Sequence, residues 1–377
     1  MSVARPSTTR TSGGVLHVLP YDRARGAQRY ARALVDALDS DAERHVILTL
    51  FAADPVLLRP DFQLDVPRGM LRRLGFDPRV LLRLHREVRR LRPAVLVAHG
   101  GESAKYAALA VPRRLPLIYY KIGTVHPKSS RRLRGALHRF YSRRANAIAA
   151  VSGDVADEAR RLLRRDGDVV VIPNARDPRD FPPPAEKQPG PPRVVFVGFL
   201  NPGKRPGWFI DAVAALRGRG IELEAMLIGG GPLEKAIRPA AESAGVVMVG
   251  SRDDVPRLMA ESDVFVFPSL PAGEGMPGVL IEAGLSGLAT VSTRVPGARD
   301  VVEEGVTGLL VDIDDKRGFI EAVGRLVTDE ELRRSMGERA RQRCLRRFTL
   351  EASARRWRGL LSQLESSVSG ADQKAGR

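Results

Sequence analysis

The sequence is short of cysteine, of aromatic residues and of long apolar runs, and each shortage excludes something. A single cysteine, Cys344, allows no internal disulfide, as expected of a chain that works in a reducing compartment. No apolar run approaches the ~20 residues of a membrane-spanning helix. The opening residues, MSVARPSTTRTSGG, lack the roughly 7–15 apolar positions of a secretory signal, so the expectation is a soluble, cytoplasmic chain. Aromatic residues make up 5% and no nucleic-acid-binding motif is present, which argues against a nucleic-acid partner despite a formal charge of +17.

Acidic residues are scarce in one place only. Residues 1–190 hold 35 basic and 19 acidic residues, whereas residues 191–377 hold 26 and 25. Nearly all the excess falls in 68–144, with 20 basic and three acidic residues. The two halves therefore face different partners, or one half faces an anionic one. In KSSRRLRGALHRFYSRRA, Leu133, Leu137, Phe140 and Tyr141 share a stripe, and Arg131, Arg132, Arg134, Arg139, Arg143 and Arg144 populate the rest. Such a helix can lie on an anionic membrane surface at about 1 kcal/mol per basic residue. The alternative is a solvated face in an arginine-rich chain.

What is present is alternation. With 377 residues and 43% hydrophobic content, two globular domains are the prior. Apolar β-like runs (15–20, 45–51, 94–100, 115–126, 147–152, 169–175) alternate with helical stretches such as 25–38, 80–91, 133–145 and 153–163. The Pro-dense DPRDFPPPAEKQPGPPR (177–193) can continue neither element. The alternation then restarts, with strands at 194–200, 223–231, 246–250, 264–269, 289–294 and 308–311. Near-continuously apolar strands between helices imply parallel sheets covered on both faces. The expected fold class is α/β with two Rossmann-like domains and a cleft between them. Their ligands belong at the carboxyl ends of the strands.

One such end carries GEGMPGVLIEAGLSG (273–287). A helix is expected to begin near Met276 or Pro277, where a proline lacking an N–H fits. The amides of Gly278, Val279 and Leu280 would then point at an anion, aided by the helix dipole. Glu274 precedes the helix and Glu282 lies more than a turn inside it. A sugar nucleotide, polyol–phosphate–polyol, has the shape that two such carboxylates would grip at opposite ends. On spacing alone a helix cap at Glu274 and an ordinary surface residue at Glu282 remain open.

EGMPGVLIEA closely resembles the E-x7-E motif of retaining glycosyltransferases of family 4, which have the GT-B fold. The resemblance continues in ATVSTRVPGARDVVEEGVTGLLVD (289–312), VVFVGFLNPGKRPGWFIDAVAAL, LIGGGPLEKAI, VSGDVADEARRL and VVVIPNARDPRDF, and covers roughly residues 15–360. It implies an acceptor-binding domain at 1–178, rejoined by a C-terminal helix at 358–377, a linker at 179–192 and a nucleotide-sugar domain at 193–357. It also implies residue roles. Glu274 would contact the transferred sugar and stabilise an oxocarbenium-like transition state, and Glu282 would bind the ribose. Lys204 would contact the diphosphate, where a fixed cation meets developing charge. Met276, Pro277, Gly278 and Val279 would shape the donor turn. His126, in GTVHP, would lie beside the donor sugar, His99 would line the acceptor side, and Gly26 would let the backbone approach closely. The family's members need no metal, so no cofactor is expected beyond the co-substrate; DIDD (312–315) looks like a metal motif but follows a strand well past the nucleotide loop.

The chain departs from the family at Gly198-Phe199, where Gly-Arg is usual. Arg205, directly after Lys204, is the nearest substitute in sequence. The expected reaction moves a hexosyl unit from a UDP- or GDP-linked sugar to a glycan or lipid-linked acceptor in envelope or polysaccharide synthesis. The rival reading is a catalytically weakened relative acting as a binding subunit. A hydrolysing nucleotide-sugar epimerase shares the broad fold but not this E-x7-E context.

Overall fold

The structure is a computed structural model. It describes residues 13–21, 26–40, 43–52, 60–67, 76–124, 132–163, 169–184, 190–272 and 274–375, with the side chains of 27, 132–137, 162–163 and 367–375 excepted. The chain divides into two compact units, residues 1–174 with 353–377, and residues 175–352.

Unit 1 runs β1 (Val15–Tyr21), α1 (Gly26–Leu38), β2 (His45–Phe51), β3 (Phe62–Val66), α2 (Pro78–Leu91), β4 (Val95–His99), α3 (Gly100–Ala110), β5 (Leu117–Lys121), α4 (Arg132–Arg144), β6 (Ala147–Ala150), α5 (Gly153–Leu163) and β7 (Val169–Val171). The strands form one parallel sheet in the order β3-β2-β1-β4-β5-β6-β7. Strands β2, β4, β5 and β6 are buried along their whole length, which is why they read as apolar runs without alternation. Helix α2 shows how local chemistry sets an element. Asp77 caps it by accepting from the Arg79 amide, Pro78 occupies the first position, and Val80, Leu84, Val88 and Leu91 form the buried stripe.

Unit 2 runs β8 (Arg193–Val197), α6 (Pro206–Gly218), β9 (Glu224–Ile228), α7 (Glu234–Ser243), β10 (Val247–Gly250), α8 (Val255–Ala260), β11 (Val264–Phe267), α9 (Gly278–Leu285), β12 (Ala289–Thr293), α10 (Ala298–Val301), β13 (Gly308–Val311), α11 (Lys316–Thr328) and α12 (Glu330–Arg347). Its parallel sheet has the order β10-β9-β8-β11-β12-β13. Val194, Phe196, Phe209, Leu227, Val266 and Phe319 lie in its core. Cys344 on α12 is buried against Gly284 of α9, and burial pushes its thiol up to about 12, so the lone cysteine is an inert packing residue.

Helix α13 (Leu350–Ala375) begins in unit 2 and joins unit 1 from Ser353 onward. There Trp357 is fully buried and donates to Tyr30 Oη at 3.1 Å, and Tyr30 Oη lies 2.7 Å from Ser353 Oγ. At the other boundary, Arg176 donates its amide to Phe348 O at 2.9 Å and accepts from the Leu350 amide at 3.0 Å. That bridge draws the chain into unit 2 from residue 175, ahead of the Pro-rich stretch.

Both sheets have a strand-order reversal, between β1 and β4 in unit 1 and between β8 and β11 in unit 2. In open parallel sheets the crevice at such a reversal, outside the carboxyl ends, is where ligands bind.

Candidate functional site

In unit 2 the carboxyl ends of β8 and β11 deliver Lys204 and Glu274. After β8, a one-turn 3₁₀ helix at Pro202–Lys204 is capped by Asn201, whose side chain accepts from the Lys204 amide at 3.0 Å. After β11, the chain passes through Ser269 and Leu270, whose amide donates to Gly203 O at 2.7 Å, tying the two loops together. Lys204 Nζ then pairs with Glu274 Oε1 and sits 4.6 Å over the Phe267 ring. Ser269 Oγ donates to the same carboxylate oxygen at 3.4 Å. The lysine and glutamate side chains are 25% and 13% exposed, so the pair is held but reachable.

Helix α9 begins one position after the later of the two expected starts, at Gly278, with Pro277 as its cap residue. Leu280 donates to Pro277 O at 3.1 Å, so it is not available to a ligand. The amides of Gly278 and Val279 have no partner among the described residues, as the first turn of a helix requires. Met276 is buried, and its turn is pressed by Gly297, which holds φ +74 and has no room for a Cβ against Gly275 O.

Sequence reasoning missed Arg176. Its Nε donates to Glu282 Oε1 at 2.8 Å, and its Nη1 donates to Ala175 O at 2.9 Å. Its guanidinium lies against the Cα of Gly278, where a Cβ would collide with Nη2. Residues 278 and 282 are one helical turn apart on the same face, so Arg176 lies along that face from the helix start to Glu282. Glu282 Oε2 has no partner among the described residues. The available signal was the charge that directly follows the neutral VVVIPNA run (169–175).

The structure does not bring Arg205 to this group. Arg205 holds a left-handed backbone (φ +46), which turns its side chain away from that of Lys204. Its guanidinium stacks 4.4 Å over Trp208 and donates to Ile313 O and to Asp314 Oδ1. The same contacts account for DIDD. Asp314 pairs with Arg205, Asp312 with Arg294 at 3.1 Å, and Asp315 caps α11. No metal-ligand cluster occurs among the described residues. Phe199 is 55% exposed on the loop leading to Lys204.

In unit 1 the reversal between β1 and β4 holds a pocket lined by Leu19, Pro20, Gln28, His99 and Ile122. His99 ends β4 and is 3% exposed; burial pushes it down to about 3, so it is neutral. Gly26 is the exposed first residue of α1. His126 lies outside the described residues. Its loop leaves β5 at Lys121, a buried ammonium that pairs with Glu158 and donates to Gly123 O at 2.7 Å. Of the basic stripe, Phe140 is 60% exposed, while the side chains of Leu133 and Leu137 are outside the described residues. No helix among the described residues is long and apolar enough to cross a membrane.

Two family models match the chain in tandem: "Glycosyltransferase Family 4" over residues 24–180 and "Glycosyl transferases group 1" over 191–329. A phosphatidyl-myo-inositol mannosyltransferase of Mycolicibacterium smegmatis is 29% identical over 385 residues, covering 95% of this chain and 94% of that one. An N-acetyl-alpha-D-glucosaminyl L-malate synthase of Bacillus anthracis is 27% identical over 57% of this chain; the match spans 59% of that protein's length. Among solved structures, Anabaena HepE in complex with UDP superposes with a TM-score of 0.79 at 19% identity, over 93% of this chain and 100% of that one.

Proposed function

The chain belongs to glycosyltransferase family 4 and has the GT-B fold, and on that premise we propose that it transfers a hexosyl unit from a UDP- or GDP-linked sugar to a glycan or lipid-linked acceptor, with retention of configuration. The observation that carries this reading is the Lys204–Glu274 pair at the β8/β11 reversal, beside the open amides of α9. Together they offer a cation, two N–H donors and a helix dipole to a diphosphate, and a carboxylate to the sugar attached to it. HepE is described with UDP and with UDP-glucose, and the curated relatives include mannosyl-, galactosyl- and N-acetylgalactosaminyl-transferases named for phosphatidylinositol- or diphosphoundecaprenol-linked acceptors, which supports a nucleotide-sugar donor and a lipid-linked acceptor.

In this reading the arriving diphosphate takes Lys204 from Glu274, and the released carboxylate faces the sugar hydroxyls. The bond between C1 and the phosphate oxygen breaks as the acceptor oxygen attacks C1 from the same face. The departing phosphate oxygen accepts the acceptor's proton, and Lys204 offsets its growing charge. Glu282, held at Oε1 by Arg176, offers Oε2 to a ribose hydroxyl. Arg176 also stands where the helix start would meet phosphate, and so replaces the arginine absent at Phe199. No metal is needed with this charge set. The protein works in the cytoplasm, with residues 68–144 against an anionic membrane surface.

Calorimetric titration with UDP, GDP and ADP tests the reading. One nucleotide binds selectively, and both Lys204→Ala and Glu282→Ala weaken it about tenfold or more, the worth of a charged hydrogen bond. Donor turnover by Lys204→Ala falls about 10²-fold or more, because the lysine acts most where charge develops. Absence of binding by any of the three nucleotides would move the protein to the binding-subunit reading.

A further inference from the structure

Three histidines cross unit 1 in a diagonal. His45 opens β2, His17 lies in β1 and His99 ends β4. The register places His45 opposite Val15, and Ala98 opposite Val18, so the three rings stand at successive same-face positions along β1. They are joined nitrogen to nitrogen: His45 Nδ1 to His17 Nε2 at 3.0 Å, and His17 Nδ1 to His99 Nε2 at 3.0 Å. At the outer end His45 Nε2 meets Glu43 Oε2 at 3.2 Å. At the inner end His99 lines the pocket at the β1/β4 reversal, and its Nδ1 has no hydrogen bond among the described residues.

A neutral imidazole has one donor nitrogen and one acceptor nitrogen, and a carboxylate only accepts. Those two facts fix every proton in the row. His45 donates from Nε2 to Glu43, so its Nδ1 accepts from His17 Nε2. His17 Nδ1 then accepts from His99 Nε2, which leaves His99 Nδ1 as a bare acceptor. All three rings carry their proton on Nε2. Burial holds the rings neutral, lowering His17 well below its ordinary value, with the neighbouring His99, His45 and Arg32 acting in the same direction. His45 is lowered by burial and by Arg358, against the pull of Glu43 and Asp39. Trp357 closes the row, stacked on His99 at 6.5 Å between ring centroids and edge-on to His17, with Tyr120 edge-on to His99 at 5.5 Å.

We propose that Glu43 is a positioning residue: through His45 and His17 it fixes the tautomer of His99, so that Nδ1 meets the unit 1 pocket as an acceptor for a ligand hydroxyl. The side-chain oxygen of Gln28, another residue lining this small pocket, is buried and also has no partner among the described residues. The use made of Nδ1 rests on the reading of unit 1 as the acceptor unit; the tautomer does not.

The test is nitrogen NMR on full-length protein with ¹⁵N-labelled histidine at neutral pH. In the wild type His17, His45 and His99 all show the Nε2-protonated pattern. Glu43→Gln keeps it, because the amide oxygen still accepts. Glu43→Lys supplies only a donor and reverses the row, giving three Nδ1-protonated rings; melting curves establish that each variant is folded. An Nδ1-protonated His99 in the wild type, or an unchanged pattern in folded Glu43→Lys, overturns the relay. Glycerol serves as the polyol probe. It shifts the His99 Nδ1 signal in the wild type and at least tenfold less in Glu43→Lys. An intact relay with no glycerol response overturns the pocket assignment and, with it, the acceptor reading of His99.

Discussion

At the β8/β11 reversal Lys204 and Glu274 meet as ions, a quarter and an eighth exposed, with a second ion pair, Arg176–Glu282, along the adjoining helix. At the β1/β4 reversal the sheet turns in the same way, yet His99 is 3% exposed, neutral and tied into a row of neutral rings. One topology therefore supports two kinds of polar site. Ions near the surface can exchange partners at little cost, which suits a site that must admit and release a charged nucleotide. Buried neutral groups cannot change state cheaply, which suits a site that must present one fixed pattern of donors and acceptors. The sequence is divided in the same way, since all six histidines precede residue 175 and the basic excess precedes residue 145.

The sharpest way to separate the units is acid, with the largest expected effect. Below about pH 6.5 the unfolded chain protonates its histidines while His17 and His99 stay neutral in the fold. The unfolded state then binds more protons, so stability is full above pH 6.5 and is lost as pH falls. At pH 5 His99 alone costs unit 1 about 2 kcal/mol, and His17 adds to the loss in the same direction. Unit 2 has no histidine to titrate. Trp357 reports on unit 1 and Trp208 on unit 2. Urea unfolding of Trp208→Phe and Trp357→Phe at pH 7 and pH 5 therefore reads them apart; equal losses in both would contradict the contrast.

A smaller change tests whether the ions of unit 2 act as placed groups. Gly278→Ala puts a methyl into the Arg176 guanidinium and drives it off Glu282. Nucleotide affinity falls about tenfold, or about 1.4 kcal/mol. Gly207→Ala, in open space on α6, leaves affinity unchanged. Similar affinities for the two variants in calorimetry would show that Arg176 is not part of the donor site.

Much of the fold was legible because buried parallel strands announce themselves. Strands 45–51 and 308–311 and helix 153–163 match their sequence reading. Two elements of unit 1 were not foreseen. Strand β3 is a sheet edge carrying Gln63 and Asp65, with Asp65 at φ +46, so it has neither an apolar run nor clean alternation. Helix α3 gave no periodic signal, because GGESAKYAALA buries small residues nearly all round and shows no stripe. The E-x7-E spacing located Glu274, Glu282 and the start of α9 within two residues. It said nothing of Arg176, which reaches Glu282 from 106 positions away. Nor could adjacency in sequence show that Arg205 and Lys204 diverge, since that depends on one left-handed residue.

The smallest expected effect concerns Phe199, and it decides whether the unit 2 site is complete. The exposed ring stands where the family usually has an arginine. If Arg176 already supplies the second cation, Phe199→Arg adds a redundant charge, and nucleotide affinity changes less than about threefold, or about 0.7 kcal/mol. Arg176→Ala alone weakens binding about tenfold, and adding Phe199→Arg to it restores most of that loss. The two substitutions are then non-additive by about 1 kcal/mol, as groups sharing one ligand should be. A Phe199→Arg variant that binds ten times tighter by itself would mean that Arg176 does not stand in for the missing arginine. The unit 2 site would then be a weakened one, short of a cation.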